Sequence, residues 1–225
     1  MNLFDILGPI MVGPSSSHTA GAVRIGNMAR SLLGQPPIRA TLLLHGSFAS
    51  TGEGHGTHQA LIAGLLGLAP DDSRVPDSFT LAGQAGLNFT FGTCTLRHAH
   101  PNSVLITLEG AQGATLEVAA SSLGGGRIRV FQIDGLPCSF SGELPTLVVH
   151  NTDQPGCVSQ VTGVLARRGL NVATLQLNRD GRGECAVMVI ESDHVIFERA
   201  AQEIRTLPGI LRVTRYTPEG MEDES

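Results

Sequence analysis

Lysine is missing from this chain of 225 residues: all fifteen of its basic residues are arginines. An internal Schiff base to pyridoxal phosphate needs a lysine amine, so that route to amino-acid chemistry is closed. Tryptophan is also absent, and tyrosine occurs once. So few large aromatics argue against a stacking platform for single-stranded nucleic acid. The arginines are scattered, and the net charge is −5. A phosphate backbone would find no basic track to follow, and no nucleic-acid partner is expected.

Long hydrophobic runs are lacking too. The longest apolar stretch, Ala60–Ala69, is broken by Gly64 and Gly67, and it falls well short of the roughly 20 residues a membrane helix needs. The segment Met1–Met11 has no basic region followed by a long apolar stretch, as a secretory signal would. The expectation is a cytoplasmic protein with no membrane partner. The four cysteines, Cys94, Cys138, Cys157 and Cys185, form no CxxC pair. Spaced this widely, they read as small buried hydrophobes. The ligands of an iron–sulfur cluster usually stand close together.

Hydrophobic residues make up 41% of the chain, with 28 glycines besides, so a core can form. Two segments separate near residue 144, giving expected domains of 1–143 and 144–225, joined by a linker over Cys138–Pro145. In the second segment Thr146–Asn151 reads as a strand. Val158, Val161, Val164 and Leu165 recur at helical spacing before Gly169, a C-cap glycine. Asn171–Asn178 and Cys185–Ile190 read as strands around an Asp180–Gly181 hairpin turn, Val195–Thr206 as a helix and Ile210–Tyr216 as a last strand. The order is βαββαβ, a ferredoxin-like unit.

In the first segment Ala20–Leu33 reads as a helix capped by Ser17 or Thr19, Ala40–Leu44 as a buried strand and Gln59–Leu68 as a helix. Ser103–Leu108, Thr115–Ala120 and Ile128–Ile133 alternate as strands, and Gly124–Gly126 reads as a hairpin turn or bulge. Helices and strands are segregated more than alternated, which makes the fold class α+β.

Three polar motifs could carry chemistry. Gly13-Pro14-Ser15-Ser16-Ser17-His18-Thr19 lies just before a helix, where hydroxyls and backbone N–H groups could cradle a carboxylate or phosphate, or merely cap the helix. His45–Thr57 follows a strand and opens a helix, with His55 between two glycines, free to act as a base near neutral pH or to sit idle on a loop. Its glycine spacing is neither a dinucleotide fingerprint nor a P-loop. His98-Ala99-His100-Pro101-Asn102 reads as a strand-entry turn fixed by Pro101 more readily than as half of a zinc site. Downstream, Asp153-Gln154-Pro155-Gly156 joins a strand to a helix, either as a plain turn or as a small-ligand site.

GPSSSHT, HGSFASTGEGHGT, HPNSV and SLGGGRIRVFQIDG, in that order over about residues 1–143, resemble the signatures of the β domain of bacterial iron–sulfur L-serine dehydratases. The βαββαβ segment with its DQPG loop is similar to an ACT domain. The resemblance implies the two-chain form of the enzyme, in which an α subunit carries the cysteines of a 4Fe–4S cluster and the pair deaminates L-serine to pyruvate and ammonia. It implies His55 as proton-abstracting base with His18 next in line. Ser15, Ser16, Ser17, Thr19 and Thr57 would bind the substrate, Ser47 and Thr51 would add hydrogen bonds, and no metal ligand falls in this chain. An amino-acid effector would sit at Asp153, Gln154 and Gly156, and the ACT-like domain would self-associate. The chain departs from the family pattern at His58, where an acidic residue usually follows GHGT.

Two other functions fit parts of this pattern. The β domain also resembles the allosteric substrate-binding domain of some phosphoglycerate dehydrogenases, which would make the chain a metabolite-binding module without chemistry. A metallohydrolase built on His18, His45, His55 and His98 is the other.

Overall fold

The structure, a computed structural model, describes residues 12–13, 15–218 and 220–221. The expectations for Met1–Met11, for Pro14 and for most of the acidic tail lie outside these residues. The chain divides into two compact units, residues 1–134 and 135–225.

The first unit sets helices against a mixed sheet. A π-helical turn, Ser16–Ala20, runs directly into α1 (Gly21–Leu33). Strand β1 (Pro37–Gly46) is followed by α2 (Ser47–Thr51), α3 (Thr57–Leu66) and α4 (Ser78–Gln84), and then by β2 (Asn88–Thr93). Strands β3 (Asn102–Gly110), β4 (Thr115–Gly124) and β5 (Arg127–Ile133) continue the sheet, with the order β2-β1-β3-β4-β5 within this unit. Only β1 and β2 run parallel; the pairs β1–β3, β3–β4 and β4–β5 are antiparallel. Alternation along β1 buries Ala40, Leu42 and Leu44 on one face. Strand β2, α2 and α4 were not expected from the sequence, and α3 begins two residues before the expected Gln59.

α1 and α3 cross in near backbone contact. A Cβ added at Gly26 would stand 2.4 Å from the Leu61 carbonyl oxygen, and one at Gly64 would stand 2.1 Å from that of Val23. Only glycines allow this crossing. It is the packing that sets the turn before α1 beside the turn before α3, and hence the first polar motif beside the second.

The second unit has the expected βαββαβ order: β7 (Thr146–Thr152), α5 (Cys157–Arg167), β8 (Val172–Arg179), β9 (Cys185–Ser192), α6 (Glu198–Arg205) and β10 (Ile210–Tyr216). The sheet order is β10-β7-β9-β8, antiparallel throughout. Its core joins Leu147, Val149, Met188 and Ile190 to Val161, Val164, Ala201 and Ile204 on the helices. Gly169, left-handed at φ 70° just past α5, fills the expected C-cap place. The α+β class is therefore observed in both units.

Two local expectations are corrected. The turn between β8 and β9 spans residues 180–184, because Asp180 N–H bonds to Cys185 O and Glu184 N–H to Gly181 O, a longer loop than an Asp180–Gly181 two-residue turn. Part of the expected linker is strand β6 (Leu136–Phe140), whose residues alternate between buried and exposed. The Gln176 side chain holds both the N–H and the carbonyl of Ser139 there. The cysteines also divide: Cys138 and Cys157 are buried, Cys94 is half-buried with its thiol pKa pushed up by burial, and Cys185 is exposed.

Candidate active site

Ser15 organises the first motif. Its backbone is extended, and its Oγ accepts from the His18 N–H at 3.2 Å, so it caps the π-helical turn. The expected caps were Ser17 or Thr19. The helical path starts a turn earlier than the apolar periodicity suggested, which puts both of those residues inside it.

His18 is 8% exposed, and both its ring nitrogens are engaged. Nδ1 lies 3.3 Å from Ser15 Oγ, while Nε2 lies 3.2 Å from Thr51 Oγ1 and 3.4 Å from Ser47 Oγ. Thr51 donates to the Ser47 carbonyl at 2.9 Å, which leaves its oxygen an acceptor. That fits a proton on Nε2 of His18 and a hydroxyl proton from Ser15 shared with Nδ1. Burial pushes the His18 pKa below its ordinary 6.5, the neighbouring His55 lowers it further, and the hydrogen bond to the Ser47 backbone opposes both. The positive end of a helix disfavours imidazolium as well. His18 is thus a neutral, immobilised ring.

His55 lies on the turn between α2 and α3, its ring centroid 4.9 Å from that of His18 in an edge-to-face contact. Its ring nitrogens make no hydrogen bond among the described residues, and the residue is exposed on one side. It borders a cavity of about 220 Å³ whose other polar walls are Thr19 and Gln59 and whose apolar walls are Val12, Val75 and Pro76. Thr19 is 3% exposed, and its Oγ1 has no partner; neither has the buried Oε1 of Gln59.

The remaining predicted residues are distributed around this centre. Ser47 and Thr51 belong to the His18 cluster. Ser16 Oγ accepts from the Gly125 N–H at 3.3 Å, in the tight turn between β4 and β5, whose three glycines are all left-handed. Ser17 lies under the same turn, next to Gly124. Thr57 is fully buried with its hydroxyl unpartnered. Thr19 and His55 line the cavity; Ser15, Ser16, Ser17, Ser47, Thr51 and Thr57 do not.

HPNSV has a structural part. Gly46 takes φ 58°, and a Cβ there would stand 2.5 Å from the Pro101 carbonyl oxygen. That oxygen accepts from the Ser47 N–H at 2.8 Å, so the Pro101 turn fixes the start of α2. His45 Nδ1 accepts from the Leu96 N–H, and His100 Nδ1 from the Asn102 N–H. Among the described residues no three of His, Cys, Asp and Glu gather where they could hold a metal.

His58 and Gln59, neighbours in the first turn of α3, have different surroundings. The His58 ring packs edge-on against Phe91 at 4.4 Å and does not border the cavity. Burial pushes its pKa below 6.5, with Glu53 and the Gly52 backbone opposing. Gln59, one residue on, does border the cavity and was missed. A polar residue in the first turn of a helix that is apolar all round gives no sign of which way it faces.

In the second unit Asp153 Oδ2 accepts from Arg179 at 2.7 Å and from the Gly183 N–H at 3.1 Å. The Gly183 amide and then Arg179 hold its carboxyl below the usual range. Asp153, Gln154, Arg179 and Arg182 line a cavity of about 500 Å³, and Gly156, left-handed at φ 99°, opens α5 beside it.

A hydroxyl-bound histidine next to a small cavity, followed by a βαββαβ unit, defines a class that the comparisons identify. Residues 2–82 match the model of the serine dehydratase beta chain, and residues 147–212 match the AHAS small subunit-like ACT domain. The chain is 40% identical over 214 residues to the beta chain of the probable L-serine dehydratase of Bacillus subtilis, covering 95% of this chain and 97% of that one. It is 40% identical over 215 residues to the L-serine dehydratase beta chain of Peptoniphilus asaccharolyticus, covering 95% and 94%. The D-3-phosphoglycerate dehydrogenase of Methanocaldococcus jannaschii is 30% identical over 81 residues, covering 36% of this chain and 16% of that one. The chain belongs to the family of L-serine dehydratase beta chains. No helix among the described residues is long and apolar enough to cross a membrane.

Proposed function

We propose that this chain is the β subunit of an iron–sulfur L-serine dehydratase, a carbon–nitrogen lyase that works in the cytoplasm and converts L-serine to pyruvate and ammonia together with a cluster-bearing α subunit. Near-full-length identity to two β chains supports the subunit and the substrate. The four cysteines are widely spaced in the sequence and do not fit the close spacing of a 4Fe–4S ligand set, so the reading assigns its ligands to the partner. Lewis-acid polarisation of the leaving hydroxyl is the chemistry such a cluster supplies; this chain's share is binding and proton handling.

The observation that carries the assignment of the base is the contrast between two touching histidines. His18 has both nitrogens committed and its pKa lowered, while His55 faces the cavity with its nitrogens unengaged. His55 is therefore the group that takes the Cα proton, and His18, held by Ser15, Ser47 and Thr51, positions it. Loss of the proton and of the hydroxyl leaves aminoacrylate, which tautomerises to an imine and hydrolyses to pyruvate and ammonia. Thr19, Thr57, Ser16 and Ser17 remain the donors proposed for the substrate carboxylate, since each has a hydroxyl proton to give. Ser15 acts through His18.

In the same reading the cavity at Asp153, Gln154 and Gly156 takes an amino-acid effector, and the ACT domain pairs with another copy. Edge strand β8, with Leu175 and Leu177 exposed, offers an unpaired backbone edge for such pairing.

The test is pyruvate formation. The purified chain alone is expected to be colourless and inactive on L-serine, and anaerobic reconstitution with the cysteine-bearing partner is expected to give a brown complex that releases pyruvate. Robust turnover by the chain without partner or iron would overturn the two-subunit reading.

A further inference from the structure

The loop that opens α5 and the turn between β8 and β9 are fastened together by Asp153. Its backbone N–H donates to the Glu184 carbonyl at 2.7 Å, and its Oδ2 accepts from the Gly183 N–H at 3.1 Å and from Arg179 at 2.7 Å. The Gly183 amide, then Arg179 and last Arg182 hold the Asp153 carboxyl below its usual range. Gln154 is fixed on another side. Its amide lies across Gly209, where an added Cβ would stand 2.1 Å from Nε2. Gly209, left-handed at φ 78°, leaves that room.

Arg182 is left over from this arrangement. It lines the cavity of about 500 Å³ together with Arg179, it is exposed, and its guanidinium makes no hydrogen bond or salt bridge among the described residues. Two guanidinium groups share one carboxylate on these walls, so one positive charge is in surplus. A neutral zwitterion would leave that surplus in place, whereas a ligand of net negative charge would cancel it. A guanidinium is also a planar fork that takes both oxygens of a carboxylate. We propose that this cavity binds a small carboxylate anion of net negative charge through Arg182, and that Asp153 holds the turn in place for it. The selectivity is then set by the turn between β8 and β9, outside the Asp153–Gly156 motif.

The inference rests on the reading of this cavity as an effector site, and its test separates the two. Isothermal titration of the full chain compares L-glutamate, its uncharged near-isostere L-glutamine, and glutarate, which has both carboxylates and no ammonium. L-Glutamate should bind about 10- to 100-fold tighter than L-glutamine, the range for a hydrogen bond to a charged group. Arg182→Gln, a change at an exposed position, should bring the two within about threefold. Salt at about 1 M, where charges are screened within about 3 Å, should narrow the wild-type preference as well. Glutarate binding as tightly as L-glutamate supports the anion site and removes the amino-acid part of the effector reading. L-Glutamine binding as tightly as L-glutamate, or a preference for L-glutamate that survives in Arg182→Gln, overturns the inference and leaves the effector reading standing. Failure of all three ligands to bind also overturns it, and a titration with L-serine then decides whether the effector reading falls too.

Discussion

In the N-terminal unit Thr19, Thr57, His58 and Gln59 each bury a polar atom without a partner, and so does Ser122, close in sequence to the glycine turn. The C-terminal unit instead pairs its charges across its surface: Glu203 with Arg167 and Arg168, Glu198 with Arg205 and Arg215, Asp153 with Arg179. Exposed pairs like these contribute little each. Of these residues Thr19 and Gln59 border the cavity, while Thr57, His58 and Ser122 do not. The contrast is not absolute, since Asn151 and Thr214 also bury an unpartnered atom in the second unit.

The crossing of α1 and α3 offers the harshest test of this contrast. Gly64→Val would force a side chain into the Val23 carbonyl, 2.1 Å from the first added carbon. The N-terminal unit is expected to lose about 3 kcal/mol or more, because backbone cannot yield as a flexible side chain does. Hydrogen exchange followed by mass spectrometry should show residues 21–66 losing protection while the core of the C-terminal unit keeps its own. Uniform loss in both units would mean that they do not differ as described.

Thr57→Val is a gentler change with opposite signs in two measurements. It removes a fully buried, unpartnered hydroxyl in an isosteric exchange. Stability should rise by about 1 kcal/mol, or a few degrees in Tm, while the KM for L-serine rises. A variant that is more stable with KM unchanged would make Thr57 a packing residue only.

The smallest effect is a split in pH dependence. His18 and His58 have pKa values pushed below 6.5 in the fold, so the unfolded chain takes up their protons first. Their contribution is complete above about pH 6.5 and is lost as pH falls through that value. In the C-terminal unit the shifts fall on carboxylates. Burial of Glu198 is outweighed by Arg205 and Arg215, and Glu203 is held down by Arg167 and Arg168. That stability is present above the ordinary 4.5 and is lost only below it. Exchange protection measured at pH 7, 5.5 and 4 should therefore fade in the N-terminal unit first, and the reverse order would contradict the assignment.

How far the sequence reveals these differences depends on which interactions are local. In the C-terminal unit helical spacing at Val161, Val164 and Leu165 and a C-cap glycine at Gly169 marked α5, and Ile210–Tyr216 appears as expected. Strand β2 went unseen although Phe89 and Phe91 alternate, because its parallel partner β1 lies more than forty residues away and no turn marks the pairing. The motifs around His18 and His55 were legible as polar loops before helices. Their contact was not, since it follows from Gly26 and Gly64 letting two helices touch. The roles of Ser15 as cap and of Gln59 as cavity wall depend on a π-helical turn and on the rotation of one helix, and neither leaves a periodic trace.

The central claim is that His55, and not the His18 it touches, takes the proton. The most direct test compares kcat of His55→Ala and wild type in the reconstituted two-chain enzyme, with assembly checked by co-purification. Loss of a general base should lower kcat by about two to four orders of magnitude with the complex intact. Turnover within about threefold of wild type in His55→Ala would contradict the account, because a base worth at least a hundredfold cannot be removed so cheaply.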